Sequence, residues 1–456
     1  MKFIDLIKVN KSLIYFDAET LASKTINDID FTFFHVEESK SLAFLYLDNS
    51  LDAIEIFWSF WDSPHAVVLL NPKLDLLLKK ELEENYTPQY IYDSTRHEIH
   101  QYDLISFISN KRLFKCKKRY DTVIHPKIKV LLSTSGTTGS PKFVKLSEEN
   151  IIANAQSIST YLPIENTDTT PLNLSIFYSY GLSVLTSNSL KGGKIVCTNK
   201  DVMNKEFWAD FEKWGYTSMA GVPFVYEMLN RIGFLKKDYP KLRYMTQAGG
   251  KLNSKLVETF GVHLSNQSKA FYVMYGQTEA TARMSYLPPQ YLTQKLESIG
   301  MPIPNGAFEI DKETSELIYL GKNIFGGYAA NKQDLAIFEQ ISALRTGDIA
   351  EKDNQGFYYI TGRLKRFAKI FGNRTNLDEV ESILKNQFIG QTFVVWAEND
   401  EKLLIGLLGN NVTEADIKFF LKDKLQIHPS VIKVILLTDI PLTSNGKVDY
   451  NAIKNG

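Results

Sequence analysis

Ile128-Lys129-Val130-Leu131-Leu132 runs straight into Ser133-Thr134-Ser135-Gly136-Thr137-Thr138-Gly139-Ser140-Pro141-Lys142, after which Ile151, Ile152, Ala155, Ile158 and Leu162 recur at helical spacing. The apolar run reads as a buried strand, the later recurrence as an amphipathic helix, and the small polar residues between them as a loop. Gly136 and Gly139 let backbone N–H groups approach an anion. The hydroxyls of Thr134, Ser135, Thr137 and Thr138 add donors, and Lys142 adds charge. Ser/Gly/Thr runs are also ordinary surface turns, but a position directly after a buried strand favours a phosphate cradle. A Walker A loop needs lysine directly after its last glycine, and here Ser140-Pro141 intervene, which disfavours an ordinary P-loop NTPase.

Outward from this unit, strand-like runs alternate with helical segments through the first two thirds of the chain, as in βα units with mostly parallel sheets. Ser218 to Gly221, Tyr244 to Gly250 and Phe271 to Gly276 each end in glycine, and chemistry gathers at such carboxyl ends. After about residue 300 the pattern changes to hairpins, such as Ala350 to Asp353 and Phe357 to Thr361 around Asp353-Asn354-Gln355-Gly356. Further on, helices are predicted over Leu377 to Gln387 and Glu414 to Leu425, the second opened by a capping box of Thr413 and Asp416. The expected fold class is therefore α/β in a multi-domain α+β arrangement. A large N-terminal domain, 1–364, carries mostly parallel βα layers and a distorted, antiparallel, barrel-like subdomain, and a small mobile α+β domain, 365–456, follows. No internal repeat or low-complexity linker separates them, so the joint is short.

Lysine plus arginine equals aspartate plus glutamate at 52 each, so no whole-chain field draws nucleic acid or an anionic membrane. The basic run from Lys111 to Arg119 reads as a solvated connector before the next strand. Cys116 and Cys197 stand far apart without metal-ligand spacing, which points away from a disulfide framework or zinc site and toward a reducing compartment. Charges interrupt every apolar run of the N-terminus, and no stretch reaches membrane-span length, so the expectation is cytoplasmic, with no membrane or nucleic-acid partner.

The loop, read as SGTTGSPK, resembles the SGTTGxPK signature of the adenylate-forming superfamily: acyl-CoA synthetases, peptide-synthetase adenylation domains and luciferase-like ligases. Where that family usually has glycine after the lysine, this chain has Phe143. Further motifs follow in the family's order: AGG at 248–250, YGQTEA at 275–280, RTGD at 345–348, GRLKRFAKIFGNRTNLDEVE at 362–381 and SNGKVD at 444–449. Together they span Leu131 to Asp449, with no counterpart motif in the first 120 residues.

The resemblance implies a free-standing, AMP-forming acid–thiol ligase that uses ATP and Mg2+. A carboxylate attacks the α-phosphorus of ATP and expels pyrophosphate, and the acyl group then passes to a pantetheine thiol of CoA or of a separate acyl carrier protein. Catalysis of this kind is mostly positioning and charge stabilisation. By the resemblance, Thr134 to Lys142 hold the phosphates, Thr278 contacts the α-phosphate and Glu279 holds magnesium. Gly249, Gly250 and Gly276 belong to the nucleotide site, Tyr275 is a wall for adenine, and Asp348 and Arg363 take the ribose hydroxyls. Lys447 enters the site for adenylation, where one cation between two anions cancels their repulsion. Lys365 marks the hinge, and Lys369 and Gly372 are presented to the thiol after rotation of the small domain.

The acid pocket is expected along residues 174–185, Val222 to Phe224, Gln247 to Gly249 and Tyr275 to Gln277, with Tyr178, Tyr180, Gly181, Val222, Phe224 and Ala248 as lining. Ligases for α-amino acids generally place an aspartate in the first of these segments, and no acid occurs between Leu172 and Lys191. A buried ammonium without a partner is costly, so an acyl, aryl or hydroxy acid is favoured. Gly181, where an amino-acid pocket has that aspartate, leaves room in the pocket. No carrier module follows Asp449, and the acceptor is expected from outside. Two alternatives remain: an amino-acid ligase of the D-alanine type that loads a carrier, and a non-catalytic nucleotide-binding protein of the same fold, for which Phe143 is the support.

Overall fold

A computed structural model of the chain describes residues 2–29, 39–107, 111–118, 121–133, 142–364, 366–370, 373–398, 402–409, 411–442 and 448–455. It divides into two compact units, one of residues 1–307 and 320–344, the other of 308–319 and 345–456.

In the first unit, Leu42–Tyr46 pairs in parallel with both Ala66–Leu70 and Tyr90–Asp93, and Ala66–Leu70 pairs in parallel with Val130–Ser133. Every residue of the Leu42–Tyr46 and Ala66–Leu70 strands is buried, as expected of parallel strands covered on both faces. Antiparallel strands extend this sheet at both ends, Phe143–Leu146 and Tyr328–Ala329 on one side and Lys111–Cys116 and Tyr102–Phe107 on the other. The basic run read as a connector is thus a strand. Leu113 and Phe114 are buried within it, while its lysines flank an antiparallel ladder of the kind that tolerates charge.

A second parallel set, Ser218–Gly221, Tyr244–Gln247 and Ala270–Tyr275, continues antiparallel into Ser285–Leu287 and Ser298–Pro302. A third sheet joins Thr169–Leu172, Lys194–Cys197, Ile14–Asp17 and Ser23–Thr25. The mixed α/β class and several sheets agree with the sequence reading. The antiparallel strands form open ladders, and no closed barrel occurs among the described residues.

In the second unit, Leu344–Lys352 pairs antiparallel with Tyr358–Arg363, with a register shift between Ile349 and Ala350. The α+β part sets Thr392–Glu398, Lys402–Leu408 and Ile432–Leu436 in one sheet under helices Leu377–Gln387 and Glu414–Leu425. Val380, Leu384, Phe393, Ile405, Ile417 and Leu421 form its core. Both helices have their predicted bounds, and the capping box of Thr413 and Asp416 is formed.

Candidate active site

Val130–Ser133 and Phe143–Leu146 pair antiparallel, with Ser133 opposite Phe143. The loop between them joins two strands, and the helix predicted to follow it starts only at Glu148, capped by Ser147 and Asn150. The sequence reading missed the second strand because Phe-Val-Lys-Leu is too short to show a period. Thr134, Ser135, Gly136, Thr137, Thr138 and Gly139 lie outside the described residues; Lys142, at the loop's end, is exposed. Phe143 is fully buried, its ring 4.9 Å from that of Tyr86 and 6.4 Å from that of Phe44. The departure from the family's glycine therefore anchors the root of the hairpin in the core.

The turn after Tyr275 is the most constrained backbone of the site. Tyr275 ends its strand half-buried, and a Cβ at Gly276 would overlap the backbone carbonyl of Ala282, so only glycine fits. Thr278 to Ala280 make one 3-10 turn, after which Thr281 and Ala282 take φ of 57° and 108°. Such values are strained for residues with a side chain and persist only where the surroundings fix them. Asn323 does so here, its Nδ2 donating to the carbonyls of Ala280 (2.7 Å) and Arg283 (2.9 Å), while Thr281 Oγ1 donates to the carbonyl of Asn323 (2.7 Å).

Facing this turn, Ser179 Oγ lies 3.3 Å from Thr278 Oγ1, which sets two hydroxyls side by side. Gly249 adopts a φ of 89°, and a Cβ there would stand 2.8 Å from Tyr178 Oη and 3.1 Å from Val222, so the AGG backbone passes tightly beneath Tyr178. Gly250 would put a Cβ 3.2 Å from Pro223, and Ala248 is buried. Gly181 holds no spare room. A Cβ there would overlap the carbonyl oxygens of Ser175 and Leu174, so the glycine permits a close backbone approach and an aspartate cannot replace it without moving the chain. Tyr180 is buried, with its hydroxyl on the carbonyl (2.9 Å) and hydroxyl (2.8 Å) of Thr246; burial pushes its phenol up to about 12. Val222 is buried, whereas Phe224 is well exposed on the helix Pro223–Arg231.

Polar atoms left over in this region fit a nucleotide and its metal. Gln277 Nε2 and Gln247 Oε1 are buried with no hydrogen-bond partner among the described residues, and such atoms are costly unless a ligand uses them. Glu279 accepts from Tyr328 Oη at 2.8 Å, and burial, with the Glu279 charge, pushes the Tyr328 phenol well up. A carboxylate held by one phenol retains oxygen lone pairs for a hard cation such as magnesium, which takes few protein ligands.

In the second unit, Asp348 and Arg363 stand opposite each other across their ladder, with Arg363 Nε donating to Asp348 Oδ1 at 3.1 Å. The preceding Gly347 has a φ of 74° and donates its N–H to Glu316 at 2.9 Å, and Arg345 pairs with Glu316 and, at 2.6 Å, with Asp311. The RTGD motif is thus a braced stretch of strand in which Arg363 holds the Asp348 carboxylate. Lys369 pairs through its backbone with Arg374; Lys365, Gly372 and Lys447 lie outside the described residues.

Three residues that the sequence reading passed over belong to the site region: Tyr328, Asn323 and Arg283. Arg283 is buried, its guanidinium 3.9 Å from the centre of the Tyr180 ring. Its one visible signal was an arginine within the otherwise apolar and hydroxylic run after YGQTEA.

Residues 39–329 match the family described as AMP-binding enzyme, and the chain belongs to that family. It is an AMP-forming acid–thiol ligase. The oxalate–CoA ligase of Arabidopsis thaliana is 28% identical over 358 residues, 73% of this chain and 68% of the relative. The 2-succinylbenzoate–CoA ligase of Bacillus cereus (strain Q1) is 26% identical over 338 residues, 70% of this chain and 68% of the relative. Among solved structures, an o-succinylbenzoate CoA synthetase (MenE) from Bacillus subtilis, in complex with the acyl-adenylate intermediate OSB-AMP, has the same fold. The TM-score is 0.79 at 19% identity, over 100% of this chain and 98% of that one. The family match begins at residue 39, well before the first sequence motif. Among the described residues no helix is long and apolar enough to cross a membrane.

Proposed function

We propose that the protein activates a carboxylic acid without an α-amino group and transfers it to the thiol of CoA, with a separate carrier protein as the second candidate acceptor. Two relatives are named as CoA ligases, each for an acid that carries no amino group. The observation that carries the reading is the turn from Tyr275 to Arg283, where Gly276, the Ser179–Thr278 hydroxyl pair and Glu279 are held by strained, over-determined backbone. Gly181 supports the choice of acid, because the position of the amino-acid ligases' aspartate is closed by backbone. The buried Phe143 packs as an ordinary core residue and so lends no support to a non-catalytic protein.

In this reading the acid lies beside Tyr178 and the Gly249 backbone, with Tyr275 against the adenine. Hydroxyl donors of Ser179 and Thr278 take the charge that grows on the α-phosphate oxygens as pyrophosphate leaves. Glu279, with phosphate oxygens, would hold magnesium, which would neutralise charge on the triphosphate. Asp348 accepts from the ribose hydroxyls and Arg363 orients it. Lys447 offsets repulsion between the carboxylate and the α-phosphate, and a hinge at Lys365 then withdraws it and brings Lys369 and Gly372 to the thiol, with 1–364 and 365–456 as the moving parts. The free, unpaired Cys116 and Cys197 suit a reducing compartment such as the cytoplasm.

Acid-dependent exchange of labelled pyrophosphate into ATP tests this. Non-amino acids are expected to support exchange, and Lys447→Ala to lower it by about a hundredfold or more, the scale of a lost transition-state charge contact. Exchange supported by amino acids alone would contradict the choice of acid, and exchange untouched by Lys447→Ala would contradict the role of that lysine.

A further inference from the structure

Among the described residues, Arg283 is a buried cation without a carboxylate. Its side chain is on the inner wall of the first unit, in a residue 3% exposed, with the guanidinium over the Tyr180 ring and Nη1 at 3.4 Å from the carbonyl of Ala282. No ion pair reaches it among the described residues, and its Nε–H has no acceptor there. Arginine does not give up its proton in a protein interior, so this charge is permanent. A cation–π contact recovers part of the lost hydration, but an unpaired buried charge remains costly.

The space beside the guanidinium says what is missing. A cavity of about 20 Å³ is lined by Arg283, Tyr180, Val184, Ala220, Thr246 and Met274, among others, beneath the segments that flank the acid pocket. That volume takes one to two water-sized atoms, enough to admit the oxygen end of a carboxylate with little spare room. The hydroxyls around it are already committed: Ser183 Oγ donates to the Tyr180 carbonyl (2.7 Å), Ser187 Oγ to the Ser183 carbonyl (2.6 Å) and Thr170 Oγ1 to Asn188 (3.0 Å). The unused donor is Arg283 Nε–H. Its field also reaches the pocket wall, since burial raises the phenols of Tyr178 and Tyr180 and the Arg283 charge opposes that rise in both.

We propose that Arg283 determines specificity by pairing with a second carboxylate of the acyl donor, so that the substrates are dicarboxylic acids. This rests on the adenylation reading above and narrows its substrate class. One carboxylate is activated near Thr278, and the other, at the far end of the molecule, replaces the missing partner of Arg283. The same charge repels an ammonium group, in keeping with the acid-free segment from Leu172 to Lys191.

The test is pyrophosphate exchange by the whole chain with succinate, glutarate and phthalate. Each is set against its matched monoacid (butanoate, pentanoate, 2-methylbenzoate) and its monoamide. At least one diacid is expected to exceed its monoacid in kcat/KM by about 30-fold or more, the scale of a buried charge pair. Arg283→Met is expected to bring that ratio close to one by raising KM for the diacid while monoacid exchange persists, and Arg283→Lys to retain part of the preference. Equal use of diacid and monoacid by the wild type, or a ratio unmoved in both variants, would overturn the proposal. If Arg283→Met fails to fold, the wild-type ratio and the lysine variant decide. Exchange with monoacids alone would sink the role of Arg283 and leave adenylation standing, whereas no exchange with any acid would sink both.

Discussion

Two arginines in the first unit, Arg283 buried and Arg96 part-buried, sit over tyrosine rings, and they differ in what else they touch. Arg96 lies 5.2 Å from the Tyr46 ring, grips Glu83 with both terminal nitrogens (2.6 and 3.0 Å) and reaches Asp93 through Nε at 2.7 Å. Lys79 joins the same carboxylate at 2.8 Å, and the Tyr46 hydroxyl donates to Glu83 at 3.0 Å. Every charge in that cluster has an opposite one. Arg283 lies closer to its ring and has none among the described residues. A closed network of this kind fixes neighbouring strands and helices; a cation left open beside a cavity is available to a ligand.

The largest expected consequence of that difference is in stability. Arg96→Met leaves Glu83 with only the Tyr46 hydroxyl and Asp93 with Lys79 as its one cation, and is expected to cost about 3–5 kcal/mol, the range for breaking a buried pair. Arg283→Met strands no carboxylate, only the Tyr161 hydroxyl and the Ala282 carbonyl beside it, so its loss should be smaller, about 1–2 kcal/mol, and denaturant unfolding of the two variants compares them directly. A similar loss in both would mean that Arg283 has a structural partner after all.

Next comes the turn that places Arg283. Gly276→Ala drives a methyl into the Ala282 carbonyl, and the displaced backbone carries Thr278, Glu279 and Arg283 together. Exchange activity is expected to fall about a hundredfold for a displacement near 1 Å, with a cost of about 1–3 kcal/mol in stability. Normal activity in this variant would show that the turn is less rigid than its backbone angles imply.

A last effect, spread over a pH window, concerns a third solution to the buried-cation problem. Lys129 is buried and donates to the carbonyls of Phe60 (3.2 Å), Ser63 (2.7 Å) and His65 (3.1 Å); burial, with repulsion from Lys40, lowers it from 10.5 to about 7. Between those two values the unfolded chain binds a proton that the native chain lacks. Stability from this group therefore rises with pH above about 7 and levels off near 10.5. The melting midpoint is expected to climb across that window in the wild type, and Lys129→Met to remove this part of the slope.

What was legible in the sequence was whatever depends on neighbours along the chain. The strand from Val130, the helices of the α+β part, the Thr413 cap and the order of motifs all rest on local period and composition. Contacts between distant segments were not legible. Gly181 was read as open space because nothing in its own surroundings announces that Leu174 and Ser175 fold back against it. Phe143 was read as a change in a loop, whereas it is a core residue, because the ring partners Phe44 and Tyr86 come from elsewhere in the chain. Arg283 was passed over for the same reason: its significance is a carboxylate that no other described segment supplies.

The central claim is that this chain makes an acyl adenylate, and mass spectrometry of the product tests it most directly. Incubated with ATP, magnesium and an acid panel but without CoA, the protein is expected to hold one species with the mass of that acid joined to AMP, in step with released pyrophosphate. Release of ADP and phosphate, or bound ATP that stays intact with every acid, would contradict the account.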